Sequence, residues 1–566
     1  MSMKCKASRL ALAFTLLWAA PAMAGEVAGS VTGPDGKPMA GLRLTIPELM
    51  RETTTDSEGH YRFDTLPAGA MSVSASVPFL APVHQTVDVP ATGQVSANLT
   101  MAPNRLLVGA AAMRGEPAVE HAAQKQAYLD QVAKAAAHGR KMNVVVLLFD
   151  DLGYGDLSSY GNTLIRTPNI DALAARGARL TQAYSGSPVC TPSRAALLTG
   201  RLPHRSGAAH HVFFPSDHPM ATLRRSLGWA NALPRDEITL AEVMGKAGYA
   251  TGAFGKWHLG DVAGSRPNDL GFQTYFGVHY SNDMKPLAIY RNQTVDTASA
   301  QTKQETLNER FADEAISFIG QNRDRPFFAY VPFTAPHWPH VANPAHSGQS
   351  SGGLYGDVVE DLDHQVGRIV KALDEMHLSE NTLLVVTSDN GGDYDGSVGN
   401  LRGRKGEVWE GGMRVPAFVI WPHVTRPGAV VDGMAMNVDL FPTILGMNGI
   451  PMPTDRAMDG KDLRPVLAGQ AANVRDTLFY TTTWTGKPVA VRDNRFKFIE
   501  PFDDNGPMGG VAGRAHPIGP ALYDLAAGNE SQNVIGLYPD RAKALQQALA
   551  AMQQQAQSNP RGWLTP

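Results

Sequence analysis

The feature that most constrains this chain is a set of four short apolar runs, each ending in ionisable or amide-bearing residues. Asn143–Phe149 is followed by Asp150-Asp151, and Ala250–Phe254 by Gly255-Lys256-Trp257-His258. Phe327–Phe333 is followed by Thr334-Ala335-Pro336-His337, and Thr382–Ser388 by Asp389-Asn390. Amphipathic stretches of helical period separate the runs. Buried strands alternating with helices imply an α/β fold with a mostly parallel sheet. In such sheets the ligand site lies at the carboxyl ends of the strands. The four ends therefore deliver three carboxylates, an amide, a lysine and two histidines to one crest. One acidic pair after a strand is an ordinary turn or helix cap. Two such pairs at two buried strand ends point to a hard-cation site. Oxygen donors suit Ca²⁺ or Mg²⁺, and the absence of clustered His and Cys argues against zinc.

Only two cysteines occur, Cys5 and Cys190. Cys5 lies in a segment with the pattern of a secretory signal peptide. Lys4, Lys6 and Arg9 precede the apolar run Leu10–Ala20, and Ala22-Met23-Ala24 forms a small-x-small cleavage site. The run is too short to span a membrane, and Cys5 is misplaced for a lipid anchor. Residues 1–24 are thus expected to be removed, giving a periplasmic or secreted protein. Taking those three cations from 50 basic residues leaves 47 against 53 acidic ones, so no basic excess suggests nucleic-acid binding. No later run is long enough to cross a bilayer. Cys190, then alone, has no disulfide partner. It precedes Thr191-Pro192, which reads as an N-cap with proline at the first helical position. That places Cys190 at a helix N-terminus, where an anion is favoured, with Arg194 one turn further on.

The 566 residues allow two to four domains. Residues 25–102 show short strands broken by turns, such as Pro34-Asp35-Gly36 and Leu66-Pro67-Ala68-Gly69. This predicts a β-sandwich. Its G-x-V-T-x-P-D-G-K-P, T-T-D-S-E-G-H-Y-R-F and L-P-A-G strings resemble the carboxypeptidase regulatory-like module. Glu116–His138 reads as a helix within a linker at 103–141. The expected main domain covers 142–566, with a smaller antiparallel C-terminal subdomain from about 480. There Ala490-Val491 and Phe496–Ile499 flank a hairpin turn.

Cys190-Thr191-Pro192-Ser193-Arg194, continuing through Leu198-Thr199-Gly200, resembles the C-x-P-S-R-x-x-x-L-T-G signature of type I sulfatases. The likeness extends to G-K-W-H-L-G at 255–260, A-P-H at 335–337, D-N-G at 389–391, G-R-K-G-E-V-W-E-G-G-M-R-V-P at 403–416 and L-Y-D-L at 522–525. The loop Tyr280-Ser281-Asn282-Asp283 is similar to one in arylsulfatase A-type enzymes. The resemblance implies an alkaline phosphatase-like sulfatase fold. It also implies hydrolysis of aryl or carbohydrate sulfates to an alcohol and sulfate.

By the same resemblance, a maturation enzyme converts Cys190 to Cα-formylglycine. Asp150, Asp151, Asp389, Asn390 and residue 190 hold Ca²⁺, with Mg²⁺ as the alternative. Arg194 stabilises the hydrated aldehyde. Lys256, Ser281, His337 and Lys405 bind the sulfate and the leaving oxygen, with His340 an alternative to His337. His258 is the base that completes the cycle. A hydrated aldehyde suits this chemistry because plain serine or cysteine would remain trapped as a stable ester. Two other readings stay open: a phosphonate or phosphate monoester hydrolase on the same fold, and a binding protein with an inactive sulfatase domain. His210-His211 and Trp229 could line a pocket, whereas His204-Arg205 and Glu410 read as supports.

Overall fold

The protein is described by a computed structural model. It covers residues 25–564 except 34–35, 47–48, 50, 76–82, 103–120, 136–140, 227, 503–518 and 529. The expected signal peptide, the Pro34-Asp35 turn and both ends of the 116–138 helix lie outside the described residues. The chain divides near residue 108 into two compact units.

The first unit packs two sheets. Its strands are β1 (Gly25–Thr32), β2 (Arg43–Ile46), β3 (Arg51–Thr54), β4 (His60–Leu66), β5 (Gly69–Ala75), β6 (Val83–Val89), β7 (Gly93–Ser96) and β8 (Leu99–Thr100). One sheet runs β4-β1-β7, with β8 also on β1, and the other runs β3-β2-β5-β6. Alternate residues such as Tyr61, Phe63, Met71 and Val73 point inward to a shared apolar core, as a sandwich requires.

The second unit is built on a mixed sheet. Its strands are β9 (Asn143–Asp150), β10 (Ala178–Tyr184), β11 (Ala250–Lys256), β12 (Thr274–Val278), β13 (Ile289–Arg291), β14 (Thr294–Thr297), β15 (Phe327–Pro336), β16 (Thr382–Ser388), β17 (Arg414–Ile420), β18 (Ala429–Val431) and β19 (Ala435–Met436). The order is β14-β13-β12-β11-β15-β9-β16-β17-β10-β18, with β19 also on β10. Five adjacent strands, β12, β11, β15, β9 and β16, are parallel. β9 explains why its sequence reads as an unbroken apolar run. Val144, Val146 and Leu148 pack into the core on one face, and Val145, Leu147 and Phe149 into the core on the other.

A smaller antiparallel sheet follows, β20 (Leu478–Thr481), β21 (Pro488–Arg492), β22 (Phe496–Ile499) and β23 (Ala521–Asp524) in sequential order. Helix Pro539–Ser558 covers it through Ala542, Leu545 and Leu549. The expected hairpin about Asp493-Asn494 is present as the β21–β22 pair.

The helix expected within the 103–141 linker is Ala122–Ala135, and it packs on the main unit rather than acting as a spacer. Tyr128, Leu129 and Val132 enter the main core, and Tyr128 Oη donates to the Pro451 carbonyl at 2.8 Å. Lys125 Nζ lies 2.6 Å from Glu242 Oε1. Apolar residues at i, i+1 and i+4 on an otherwise polar helix give one buried stripe, a feature that Ala- and Gln-rich composition conceals.

Candidate active site

The parallel strands deliver their terminal residues to one crest. β9 ends in Asp150, and Asp151 follows in the left-handed region at φ 67°. That conformation is uncommon for a residue with a Cβ and is often found at functional sites. Asp151 is held in place by Asp389 Oδ1, which accepts from its amide at 3.2 Å, and by Asn390 Nδ2, which donates to Oδ1 at 2.8 Å. Ser388 Oγ ties the two strand ends, accepting from the Leu152 amide and donating to the Asn390 carbonyl. β11 ends in Lys256. The preceding Gly255 has φ 139°, and a Cβ there would lie 1.9 Å from the Pro332 carbonyl oxygen, so only glycine lets β11 approach β15 this closely. The β15–β9 register shifts between Pro332 and Pro336, which sets His337 beside the aspartates.

Helix Cys190–Thr199 brings the nucleophile candidate into this cluster, and every residue of it is buried. The expected Thr191 cap is not formed. The helix begins two residues earlier than expected, with extended Val189 at its N-cap and no side-chain cap bond. The Thr191 hydroxyl bonds to groups outside the helix instead.

Cys190 Sγ donates to Asp150 Oδ1 at 3.4 Å. Burial pushes its thiol well above the usual range, against the pull of Lys256 and Lys405. A thiol so held is a poor nucleophile in its own right. Arg194 Nε donates to Asp389 Oδ2 at 2.9 Å, and its Nη1 donates to the Lys256 carbonyl at 2.9 Å. Lys256 Nζ lies 2.6 Å from Asp150 Oδ2 and donates to Ser281 Oγ at 3.2 Å. Lys405 Nζ lies 2.6 Å from Asp151 Oδ2. His337 Nε2 is 3.6 Å from Asp151 Oδ2, and its ring is 3.4 Å from Ser281 Oγ. Every site residue expected from the sequence except His258 is therefore joined by these side-chain contacts. His258 connects through its backbone to the helix that carries Cys190. His340, the alternative to His337, instead pairs with Asp395 at 3.0 Å.

The charges around this cluster are nearly balanced by three cations. Burial raises the cost of the Asp150 charge, but Lys256 and Arg194 outweigh it and hold the carboxyl well below the usual range. For Asp389, burial prevails over Arg194, and Asp150 adds repulsion, so its carboxyl rises to about 7. Single ligand atoms of Asp150, Asp151, Cys190 and Asp389 all lie within 4.8 Å of one another. Asn390 Oδ1 is buried and accepts no hydrogen bond. Crowded carboxylates and an orphaned carbonyl oxygen fit a divalent cation with oxygen ligands.

His210 stacks on buried Trp229 at 4.8 Å between centroids, and its Nδ1 bonds to the Trp484 carbonyl at 2.8 Å. Arg205 Nε bonds to Asp459 at 2.9 Å, consistent with a support. Glu410 lies in a buried network with Tyr184, Tyr480, Arg492 and Lys497, which links the central sheet to the C-terminal one. Sequence reasoning missed Thr191 and Ser388 as parts of the site. Their hydroxyls act through tertiary contacts that no local pattern displays.

Cys190 at a helix start, a carboxylate cluster, Lys256 at a strand end and Lys405 in the loop between β16 and β17 form a site suited to an ester of a tetrahedral anion. Residues 142–450 match the Sulfatase family, and the chain belongs to it. Residues 26–102 match the carboxypeptidase regulatory-like domain, and residues 404–507 match the N-sulphoglucosamine sulphohydrolase C-terminal domain. The chain is 34% identical to steryl-sulfatase of Rattus norvegicus over 498 residues, covering 69% of this chain and 84% of that one. It is 33% identical to arylsulfatase A of Homo sapiens over 467 residues, covering 75% and 89%. The solved PsFucS1 sulfatase from Pseudoalteromonas sp. superposes with a TM-score of 0.64 at 26% identity, covering 80% of this chain and 97% of that one. The protein is thus a sulfuric ester hydrolase on the alkaline phosphatase-like fold.

Proposed function

We propose that this sulfatase acts through Cys190 matured to Cα-formylglycine, with one Ca²⁺ held by Asp150, Asp151, Asp389, Asn390 and residue 190. The proximity of single ligand atoms of Asp150, Asp151, Cys190 and Asp389, all within 4.8 Å of one another, carries this reading. The cation would supply fixed positive charge for the sulfate, and the hydrated aldehyde would supply a nucleophilic hydroxyl and a second hydroxyl for release. Mg²⁺ is the alternative ion for the same oxygens.

The protein's own groups would divide the remaining work. Arg194 and Lys256 have fully buried side chains and neutralise charge deep in the site. Lys405 and His337 retain 16% and 11% side-chain exposure, which supports placing them on the side where the alcohol departs. One of them protonates the leaving oxygen, and Ser281, within reach of both Lys256 and His337, orients the sulfate. Asp389 accepts a proton from the attacking group at residue 190. His258 takes the last proton, so that sulfate leaves.

The substrate class is an aryl or carbohydrate sulfate. The names of the relatives, arylsulfatase A and N-acetylgalactosamine-6-sulfatase among them, support that range. We assign residues 1–24 to an export signal, 25–102 to an accessory module and 142–566 to the catalytic domain, its C-terminal subdomain starting near 480. The enzyme then works in the periplasm or outside the cell after a maturation enzyme has acted. Among the described residues no helix is long and apolar enough to cross a membrane. Sulfate release from a panel of aryl sulfates and sulfated sugars tests the assignment. Turnover of at least one class is expected, and turnover confined to phosphate or phosphonate esters would contradict it.

A further inference from the structure

We propose that the Thr191 hydroxyl is a positioning group for His258, fixing both its backbone and the tautomer of its ring. The hydroxyl stands in a closed circuit of three hydrogen bonds. Thr191 Oγ1 donates to the His258 carbonyl at 2.9 Å and accepts from the Phe213 amide at 3.1 Å. His258 Nε2 lies 3.0 Å from the Phe213 carbonyl oxygen. A carbonyl can only accept, so Nε2 must carry the hydrogen, and the lone pair of the neutral ring is on Nδ1. Nδ1 is buried and has no hydrogen-bond partner, as a base awaiting its proton would be. All participating groups are buried.

Two further observations show that this arrangement needs an external hold. His258 has φ 61°, a conformation that a residue with a Cβ keeps only when its surroundings enforce it. Thr191 also has no local use for its hydroxyl, since the helix starts without a side-chain cap bond. The hydroxyl belongs to the residue next to Cys190. One residue therefore links the nucleophile's helix, the base's backbone and, through the Phe213 amide, the residue whose carbonyl sets the base's tautomer.

The inference rests on the reading of His258 as the base that ends the cycle. In that step Nδ1 takes the proton of the remaining hydroxyl, a carbon–oxygen double bond forms, and the carbon–oxygen bond to sulfate breaks with its electron pair leaving on sulfate. A ring released from the Phe213 carbonyl would present the wrong nitrogen or the wrong direction, while substrate binding by the lysines and the metal site would be unchanged.

The test uses the full-length matured enzyme and a small aryl sulfate, with rates normalised to the formylglycine content found by mass spectrometry. Thr191→Val keeps the side-chain volume and removes both hydroxyl bonds. Its kcat should fall roughly 10- to 100-fold, the scale seen when a group that orients a site residue is lost. KM should fall along with kcat and leave kcat/KM near wild type, because slowing only the last step of a covalent cycle lowers both in proportion once the intermediate accumulates. Peptides bearing residue 190, quenched during turnover, should retain the mass of one sulfuryl group, as in His258→Ala. Thr191→Ala should retain that mass as well, and Thr191→Ser should restore wild-type kinetics and lose it. Wild-type kcat in both Thr191→Val and Thr191→Ala, or a retained sulfuryl group in Thr191→Ser, would overturn the proposal. If His258→Ala itself retains no sulfuryl group, the assignment of the base fails, and the positioning role with it. A retained group in His258→Ala but not in Thr191→Val or Thr191→Ala would overturn the positioning role alone.

Discussion

Replacing Glu410 by Gln should destabilise the main unit without touching its chemistry. The Glu410 side chain is buried and accepts from Tyr184 Oη at 2.6 Å and Tyr480 Oη at 2.7 Å. Lys497 Nζ and Arg492 Nη1 lie 3.3 and 3.7 Å from its oxygens. Burial works against its charge, but Lys497, Arg492 and Arg414 outweigh it, moving the carboxyl from 4.5 to about 2. At 1.36 kcal/mol per pKa unit this corresponds to about 3 kcal/mol. Removing one partner of a buried ion pair costs about 3–5 kcal/mol. The lower end applies here, because Lys497 keeps Glu530 at 2.8 Å and the Val408 carbonyl at 2.8 Å. The depressed pKa fixes the sign. The contribution is complete above the unfolded value of 4.5 and is lost as pH falls through about 2. Urea unfolding of both proteins, followed by tryptophan fluorescence, should show a gap of about 3 kcal/mol at pH 7. The gap should hold to about pH 5 and close towards pH 2. A gap under about 1 kcal/mol at pH 7, or one that persists unchanged into acid, would refute the reasoning.

Three other outcomes follow from the site and the fold. Asp389→Ala should lose bound metal by elemental analysis and nearly all turnover, since metal stabilisation of the developing charge is worth several kcal/mol. Lys256→Ala, Lys405→Ala and His337→Ala should each lower kcat by roughly 10²-fold, the loss seen when one preorganised donor is removed. A chain beginning at Gly109, exported and matured, should hydrolyse small aryl sulfates at near-native rates. One beginning at Arg140 should be less stable by on the order of 5 kcal/mol, because it also loses the burial of Tyr128, Leu129 and Val132; equal stability of the two by urea unfolding would contradict this.

The strand ends and the carboxylate cluster were legible because they obey rules that act within a few residues. A strand buried on both faces must be apolar throughout, so the first polar residue marks its end, and that end is where a ligand binds. The antiparallel side of the main sheet, beyond β16, was harder to read. β10 and β17 pair antiparallel, with a register shift between Leu180 and Ala183, and Pro416 falls opposite that irregularity. A proline inside a strand argues against an interior position from sequence alone, and only the bulge removes the objection. Thr191-Pro192 misled for a related reason. Threonine before proline is a local capping pattern, yet the hydroxyl is taken by His258 and Phe213, residues far along the chain. The Glu410 network escaped notice because its members come from β10, β20, β21 and β22 and meet only in the folded core. Likewise, the helix at Ala122–Ala135 gives up its linker appearance only when its buried stripe meets Pro451 and Glu242.

The central claim is that residue 190 acts as an aldehyde and not as a thiol. Mass spectrometry of the peptide carrying residue 190, taken from enzyme whose specific activity has been measured, tests it most directly. The peptide should be lighter than the encoded one by the difference between a thiol and an aldehyde, and activity should rise in proportion to the converted fraction. Cys190→Ala, which cannot be converted, should be inactive. Fully active enzyme in which residue 190 is entirely free thiol would contradict the account.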